Sequence, residues 1–319
     1  MTTLAHTRIT ASANTNLGVI EAMRAGFLRT AGDAPAKRDE EQTMTVIAMT
    51  REIGSLGTVV AERLAARLGL KIIHSEVVAQ GVAERLGVEA GAVQRYVNGL
   101  ATLLERWQID RRRLFRYAAE EVLRLAQQGN VLIKGWGAAT LLRDMPHVIS
   151  VRVCAPMDFR VRVVMDRLGT KDANAVREQI ERYEAARART MRALFDTEQE
   201  DSRLYHLVLN TERLPVDACV KAVCDLAESP RFRDRATTRS MLANKLLEAK
   251  IGSAFVEHIS FSAAPLGVSV SVANGKVTLA GTTSSGSVRK RAEKIAREVA
   301  SVSHIDNRIV SVPSRGSAF

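Results

Sequence analysis

Short apolar runs alternate with longer helical stretches through the first two thirds of the chain, and no other feature restricts its fold as much. Strand-like runs fall at residues 44–50, 71–73, 130–134, 147–154 and 205–209. Helix-period segments lie between them at 58–68, 77–86, 101–128, 158–168 and 173–194, and a closing one follows at 216–226. Runs that are apolar throughout suit strands covered on both faces, and strands separated by helices pair in parallel. The pattern predicts an α/β unit, a parallel sheet covered by helices. Its longest helix, 101–128, is spaced by Leu103, Leu104, Trp107, Leu114, Tyr117 and Leu125.

This pattern lapses at residues 228–237 (ESPRFRDRAT), a charged stretch with a proline of the kind that joins domains. Beyond it a helix at 240–250 leads to alternating strands at 267–273 and 276–280 around Asn274-Gly275, the strongest short signal for a tight hairpin. An amphipathic helix (287–299) and a strand (304–312) complete a small α+β module. At the other end, residues 1–43 read as a flexible extension with one short helical stripe, Leu17, Ile20, Met23, Phe27 and Leu28. The expected division is 1–43, 44–230 and 238–313.

Charge and cysteine usage narrow the function classes. The 319 residues carry 46 Lys+Arg against 35 Asp+Glu, a net +11 that favours polyanionic partners such as nucleotides, nucleic acid or an acidic lipid surface. Cys154, Cys219 and Cys224 are odd in number and form no Cys-x-x-Cys pair, which agrees with a reducing compartment. The scattered histidines show no helix-spaced ligand pair, so no protein-held metal is expected. No run approaches the ~20 apolar residues of a membrane span and no secretory start is evident, so a cytoplasmic chain without a transmembrane segment is expected. With 4% aromatic residues the chain lacks the stacking platform of single-strand readers, which argues against nucleic acid.

Between the first strand and its helix the chain reads Thr50-Arg51-Glu52-Ile53-Gly54-Ser55-Leu56-Gly57-Thr58. Glycines there let backbone amides approach an anion whose charge the helix dipole favours, although the same glycines would serve a tight turn with no ligand. A Walker loop, Gly-x-x-x-x-Gly-Lys-Ser/Thr, uses its lysine on the outer phosphates and its hydroxyl on magnesium. Measured back from the helix ending at Gly69, the lysine position falls on Gly57 and the hydroxyl on Thr58 or Val59. The loop therefore lacks its central cation.

Residues 44–230 resemble the cytidylate-kinase-like family of P-loop proteins. The resemblance is carried by TREIGSLGTVVAERLAARLGL at the opening, by AAEEVLRLAQQGNVLIKGWGAATLLRDMPHVISVRVCAPMDFRVRVVMDRLG in the middle and by YHLVLNTERL at the last strand. It implies transfer of the terminal phosphoryl group of ATP, with Mg2+, to a nucleoside monophosphate or similar small acceptor. Arg51, Gly54, Ser55, Gly57 and Thr58 would then hold the nucleotide, with Arg51 partly replacing the missing lysine. Arg160 and the segment resembling the lid helix, with Arg182, Arg187 and Arg189, would supply positive charge to the transferring group. Arg182 and Arg189, seven apart, share one helical face and Arg187 is displaced from it.

Three positions depart from the family pattern. His74 stands where an aspartate would help hold the acceptor, and Trp136 where an arginine would face phosphate. Leu56 replaces a loop glycine. Lys134, two residues before Trp136, lies on the same side of an extended chain. His74, Lys134 and Trp136 would lie on the acceptor side, and the absent lysine with Trp136 makes a pseudokinase that binds nucleotide without turnover the alternative to a weakened kinase. The last module, with VSVANGKVTLAGTTSSGSVRKRAEKIAREVASVSHIDNRIVSV, resembles the BON domain, which implies an anionic phospholipid or protein partner. Arg289, Lys290, Arg291, Lys294 and Arg297 give its helix a basic face. The fold expected is thus a parallel-sheet P-loop kinase-like α/β domain plus a small α+β BON domain.

Overall fold

The computed structural model describes residues 44–259, 268–283, 285–300 and 304–312. The N-terminal extension and its apolar stripe lie outside the described residues. Five parallel strands form the main sheet: β1 (Val46–Arg51), β2 (Lys71–Ile73), β3 (Val131–Lys134), β4 (Val148–Cys154) and β5 (Leu207–Asn210), in the order β2-β3-β1-β4-β5. β1 is central, pairing Met49 with Lys134 on one side and with Val151 on the other. Both its faces are buried, Val46 and Ala48 into one core and Ile47 and Met49 into the other, which is why its sequence is apolar throughout.

On the Ile47 face the sheet is covered by α1 (Gly57–Leu68), which follows β1, and by α9 (Val216–Glu228), which follows β5. The other face carries α2 (Ser75–Leu86), α3 (Ala90–Val97), α5 (Arg111–Gln127) and the short α6 (Ala138–Leu141). α7 (Met157–Leu168) and α8 (Ala173–Phe195) form an arm between β4 and β5. The arm has its own small cluster of Val161, Val164, Val176 and Ile180, while Met191, Leu194 and Phe195 anchor the end of α8 in the main core.

The single helix expected over 101–128 is two, α4 (Leu103–Gln108) and α5. Asp110 breaks it, its carboxylate accepting from the amides of Arg112 and Arg113 and so capping a new helix. The apolar stripe breaks with it: Leu103 and Trp107 are each 86% exposed, whereas Leu114, Tyr117 and Leu125 are buried. α3 was not legible as a separate helix.

The second module is a three-stranded sheet, β6 (Ser269–Ala273), β7 (Lys276–Thr283) and β8 (Ile305–Ser311), with α11 (Gly286–Ala300) packed on it. Asn274 and Gly275 both have positive φ, 50° and 74°, the conformation that a two-residue hairpin turn demands. α10 (Ala236–His258) is longer than the expected 240–250 and serves both modules. Its Leu242, Leu246 and Ala249 enter the main core, and Ile251 and Ala254 enter the core of the second sheet. No described helix is long and apolar enough to cross a membrane.

Candidate active site

The loop between β1 and α1 is held from behind by side chains as well as by its own turn, in which the Ser55 amide donates to Glu52 O at 3.4 Å. Glu52 accepts from Arg152 Nη2 at 2.7 Å and from the Ala155 amide at 3.1 Å, tying the loop to the end of β4. Ser55 is fully buried, its hydroxyl 2.9 Å from Glu52 O and 3.2 Å from Val153 O, and its carbonyl accepts from Thr211 Oγ1 at 2.8 Å. The Ser55 side chain, expected to hold a nucleotide, is therefore an internal strut. Gly54, at φ 78°, lets the loop pass over α7, because a Cβ there would stand 2.5 Å from Arg160 O. Leu56, in place of a loop glycine, adopts the left-handed conformation itself (φ 55°) and caps α1 without a side-chain hydrogen bond.

Arg160 belongs to this scaffold. It is 6% exposed, donates to Glu184 Oε1 at 2.6 Å and to Ile53 O at 3.3 Å, and lies 3.6 Å from a Glu52 oxygen. Glu184 also accepts from the Ile53 amide at 3.1 Å, so α8 is pinned to the loop through one carboxylate. Neither Arg160 nor Glu184 is among the residues lining the cleft in front of the loop.

That cleft is lined by Gly57 and Thr58 of α1 and by four cations from four elements: Arg51 at the end of β1, Lys134 at the end of β3, Arg167 on α7 and Arg187 on α8. Position 57, where a Walker lysine would stand, is filled by Arg51: a Cβ on Gly57 would come 2.7 Å from Arg51 Cβ and 3.1 Å from its Cδ. The arginine and the glycine are sterically complementary. Burial, together with the nearby Arg187 guanidinium, pushes Arg51 down to about 10. Burial and the charge of Arg51 push Lys134 down to about 8. Arg187 lies over Gly135, whose Cβ would meet Arg187 Nη2 at 3.0 Å, and the Arg187 Nε is buried without a hydrogen-bond partner among the described residues. Such mutual depression marks a site with more positive charge than its own acids neutralise, and one that a polyanion would relieve. α1 adds to it, with no acid in its first turn and its amino end at the cleft.

The arginine row on the lid helix resolves differently from the sequence expectation. Arg182 is exposed and pairs with Glu178, and Arg189 is exposed with its Nε donating to Ala185 O; neither lines the cleft. The inner face of α8 is set by buried Ile180, Met191 and Leu194, and Tyr183, Glu184 and Arg187 share it. Arg187, displaced from the row, is the one brought to the loop.

Trp136 and Lys134 also part company. Residues 135–137 all have positive φ (79°, 55° and 65°), so the chain is not extended there and the two side chains do not share a side by alternation. Trp136 is 2% exposed in the main core, and its Nε1–H donates to Ser75 O at 2.8 Å, fixing the start of α2. His74 sits at the cap of α2 outside the cleft lining, its pKa lowered by burial and by Lys134. Trp136 still lines the cleft, together with Ser75, Glu76, Gln94 and Asn98. Gln94 and Asn98 come with α3 and were missed with it; Tyr183 and Glu184 were detectable from their three- and four-residue spacing to Ile180.

Residues 46–213 match the family described as the cytidylate kinase-like family, and residues 244–313 match the BON domain. The chain is similar to a cytidylate kinase of Ignicoccus hospitalis, 30% identical over 185 residues that cover 56% of this chain and 97% of that protein. A cytidylate kinase of Pyrobaculum aerophilum is 27% identical, covering 57% and 92%. A crystal structure of a Eubacterium ventriosum protein is 19% identical with a TM-score of 0.46, covering 58% of this chain and 99% of that one.

Proposed function

The chain belongs to the cytidylate kinase-like family and carries a BON domain behind it, and from that premise we propose that it transfers the terminal phosphoryl group of ATP to a nucleoside monophosphate, with cytidine monophosphate the first candidate given the names of its relatives. The observation that carries this reading is the convergence of Arg51, Lys134 and Arg187 on the amino end of α1. Phosphoryl transfer asks for positioned positive charge more than for covalent chemistry. Arg51 and Lys134, at adjacent strand ends, suit the outer phosphates of ATP, and Arg187 on the arm suits the transferring group as charge spreads over its oxygens. Glu52, Arg160 and Glu184 act indirectly, by holding the loop and the arm together.

Magnesium would arrive on the phosphates and supply charge neutralisation when bound. The described residues hold no cluster of three or more His, Cys, Asp or Glu able to cage a metal. The cleft does offer the Thr58 hydroxyl and the Glu76 carboxylate, oxygen donors of the kind that suits an ion retaining most of its water.

With magnesium and ATP, the purified protein is expected to form ADP only when a nucleoside monophosphate is added, and Arg187→Ala should lower kcat by about 10²–10³-fold. ADP formation that is flat across all nucleoside monophosphates contradicts the proposal. The burial of Trp136 where the family places an arginine favours one second reading, a pseudokinase that binds ATP without turnover and acts through the BON domain. Calorimetry that finds ATP binding in the absence of any turnover would select it.

A further inference from the structure

The six residues of α4 form a helix that buries none of its side chains. A helix that short is not stable on its own, and polar ties hold it instead. Thr102 and Glu105 cap it reciprocally, the Thr102 amide donating to Glu105 Oε2 at 2.9 Å, and Arg95 of α3 donates from its Nε to the same carboxylate at 2.8 Å. Buried Ala101 and Ile109 pin the chain on either side. Glu105 therefore marks the inward side of α4. Leu103, Leu104 and Trp107, within about 100° of one another around the helix, occupy the opposite side, and they are 86%, 63% and 86% exposed. A surface helix ordinarily turns its apolar face toward the core; this one is fixed with that face outward.

The rim of that face is cationic. Arg106 flanks it on α4, and Arg111, Arg112 and Arg113 fill the first turn of α5, all of them exposed. Four residues separate Trp107 from Arg111, at most about 14 Å of chain. Cations in a first turn oppose the helix dipole, so helix stability does not account for them. Arg106, Arg111 and Arg113 form no ion pair among the described residues. The two acids of the segment are already engaged, Glu105 by Arg95 and Asp110 by the amides of Arg112 and Arg113 that it caps.

Area and charge select the occupant. Three side chains expose on the order of 500 Å2, short of the ~800 Å2 per partner of a stable protein interface, which argues against a second copy. Two of the three are leucines, which offer no ring for a base to stack on, and this argues against single-stranded nucleic acid. The apolar stripe at residues 17–28 lies beside Arg24 and Arg29 with only Glu21 to offset them, so it shares the sign of the rim. An anionic bilayer matches both parts: indole and leucine side chains enter the boundary between headgroups and acyl chains, and arginines stay at the lipid phosphates.

We propose that α4 and the first turn of α5 dock the main module, independently of the BON domain, on an anionic phospholipid bilayer, with Leu103, Leu104 and Trp107 inserted and Arg106, Arg111 and Arg113 at the headgroups. Leu100, between α3 and α4, lines the cleft, so docking would bring the cleft close to the membrane. The test uses the full chain with vesicles of phosphatidylcholine containing phosphatidylglycerol and with vesicles of phosphatidylcholine alone. The chain has two tryptophans and Trp136 is buried, so a change in emission on adding vesicles reports Trp107. Cosedimentation with the anionic vesicles and a blue shift are expected, with binding to the neutral vesicles at least tenfold weaker. Trp107→Ala should remove the shift and weaken cosedimentation at least tenfold, and Arg111→Glu with Arg113→Glu should weaken it as much. All three side chains are exposed, so the variants should keep the thermal transition of the parent. Cosedimentation unchanged in the variants places lipid binding elsewhere and overturns the proposal. So does the absence of cosedimentation by the parent, or emission of which no part is accessible to iodide before vesicles are added, the result that coverage by residues 1–43 or by a second copy would give.

Discussion

At position 57 a lysine would have to share the space that the Arg51 side chain already occupies, since a Cβ there stands 2.7 Å from Arg51 Cβ. The family resemblance already implied that Arg51 partly replaces the missing lysine; packing adds that the two side chains would compete for one space. Gly57→Lys alone is expected to lower stability by about 1–3 kcal/mol through overpacking and to weaken ATP binding, whereas Arg51→Gly together with Gly57→Lys should recover both, as denaturant melts and titration would show. Lys134 gives a pH signature of two signs. Its pKa is about 8 in the fold against 10.5 for an ordinary lysine. Between those values the unfolded chain holds a proton that the folded chain has released, so the ligand-free protein should gain stability as pH rises from 8 to 10.5, by about 3 kcal/mol. Below pH 8 both states are protonated and no further change comes from this group. Lys134→Met should abolish the gain. ATP affinity should move the opposite way, falling as Lys134 loses its charge above pH 8.

Among the elements, the inner strands β1, β3 and β4 were the most legible, because their buried runs needed nothing beyond themselves to be recognised. Two of the helices between β2 and β3 were not: α3 is only eight residues long, too short for Val93 and Val97 to establish a helical period, and α4 joined α5 in the apolar count because the capping of α5 by Asp110 lies in its contacts. On α8 the sequence made the exposed face with Arg182 and Arg189 conspicuous, while the inner face is identified by what Ile180 and Met191 pack against, which only the fold supplies. The arm depends on Glu184, which ties the loop amide of Ile53 and the buried guanidinium of Arg160 to one carboxylate. Glu184→Ala should destabilise the protein by about 3 kcal/mol in equilibrium denaturation, the cost of leaving a buried charge short of its partner. Trp136→Phe removes the hydrogen bond to Ser75 O while keeping most of the packing, and is expected to cost only about 1 kcal/mol.

Taken as a whole molecule, the chain was read as two units joined by a linker, and the boundary between them is a proposal that α10 refines, since its first half packs in the main core and its second half under the second sheet. A chain ending at residue 235 would lose Leu242, Leu246 and Ala249 from that core, a burial on the order of 5 kcal/mol, which rivals the stability of a typical domain. It should fail to show a cooperative thermal transition, whereas one ending at residue 258 should retain it. The net +11 is likewise distributed by the fold. On the BON helix, Lys294 and Arg297 are paired with Glu298 and Glu293, while the cleft gathers Arg51, Lys134 and Arg187 from β1, β3 and α8. That assembly of a phosphate site from separated elements is the central claim, and calorimetric titration of ATP into the full chain and into Arg51→Ala, Lys134→Ala and Arg187→Ala tests it most directly. The account predicts one ATP per chain, bound at least tenfold more weakly by each variant; no binding by the parent, or equal affinity in all three variants, would contradict it.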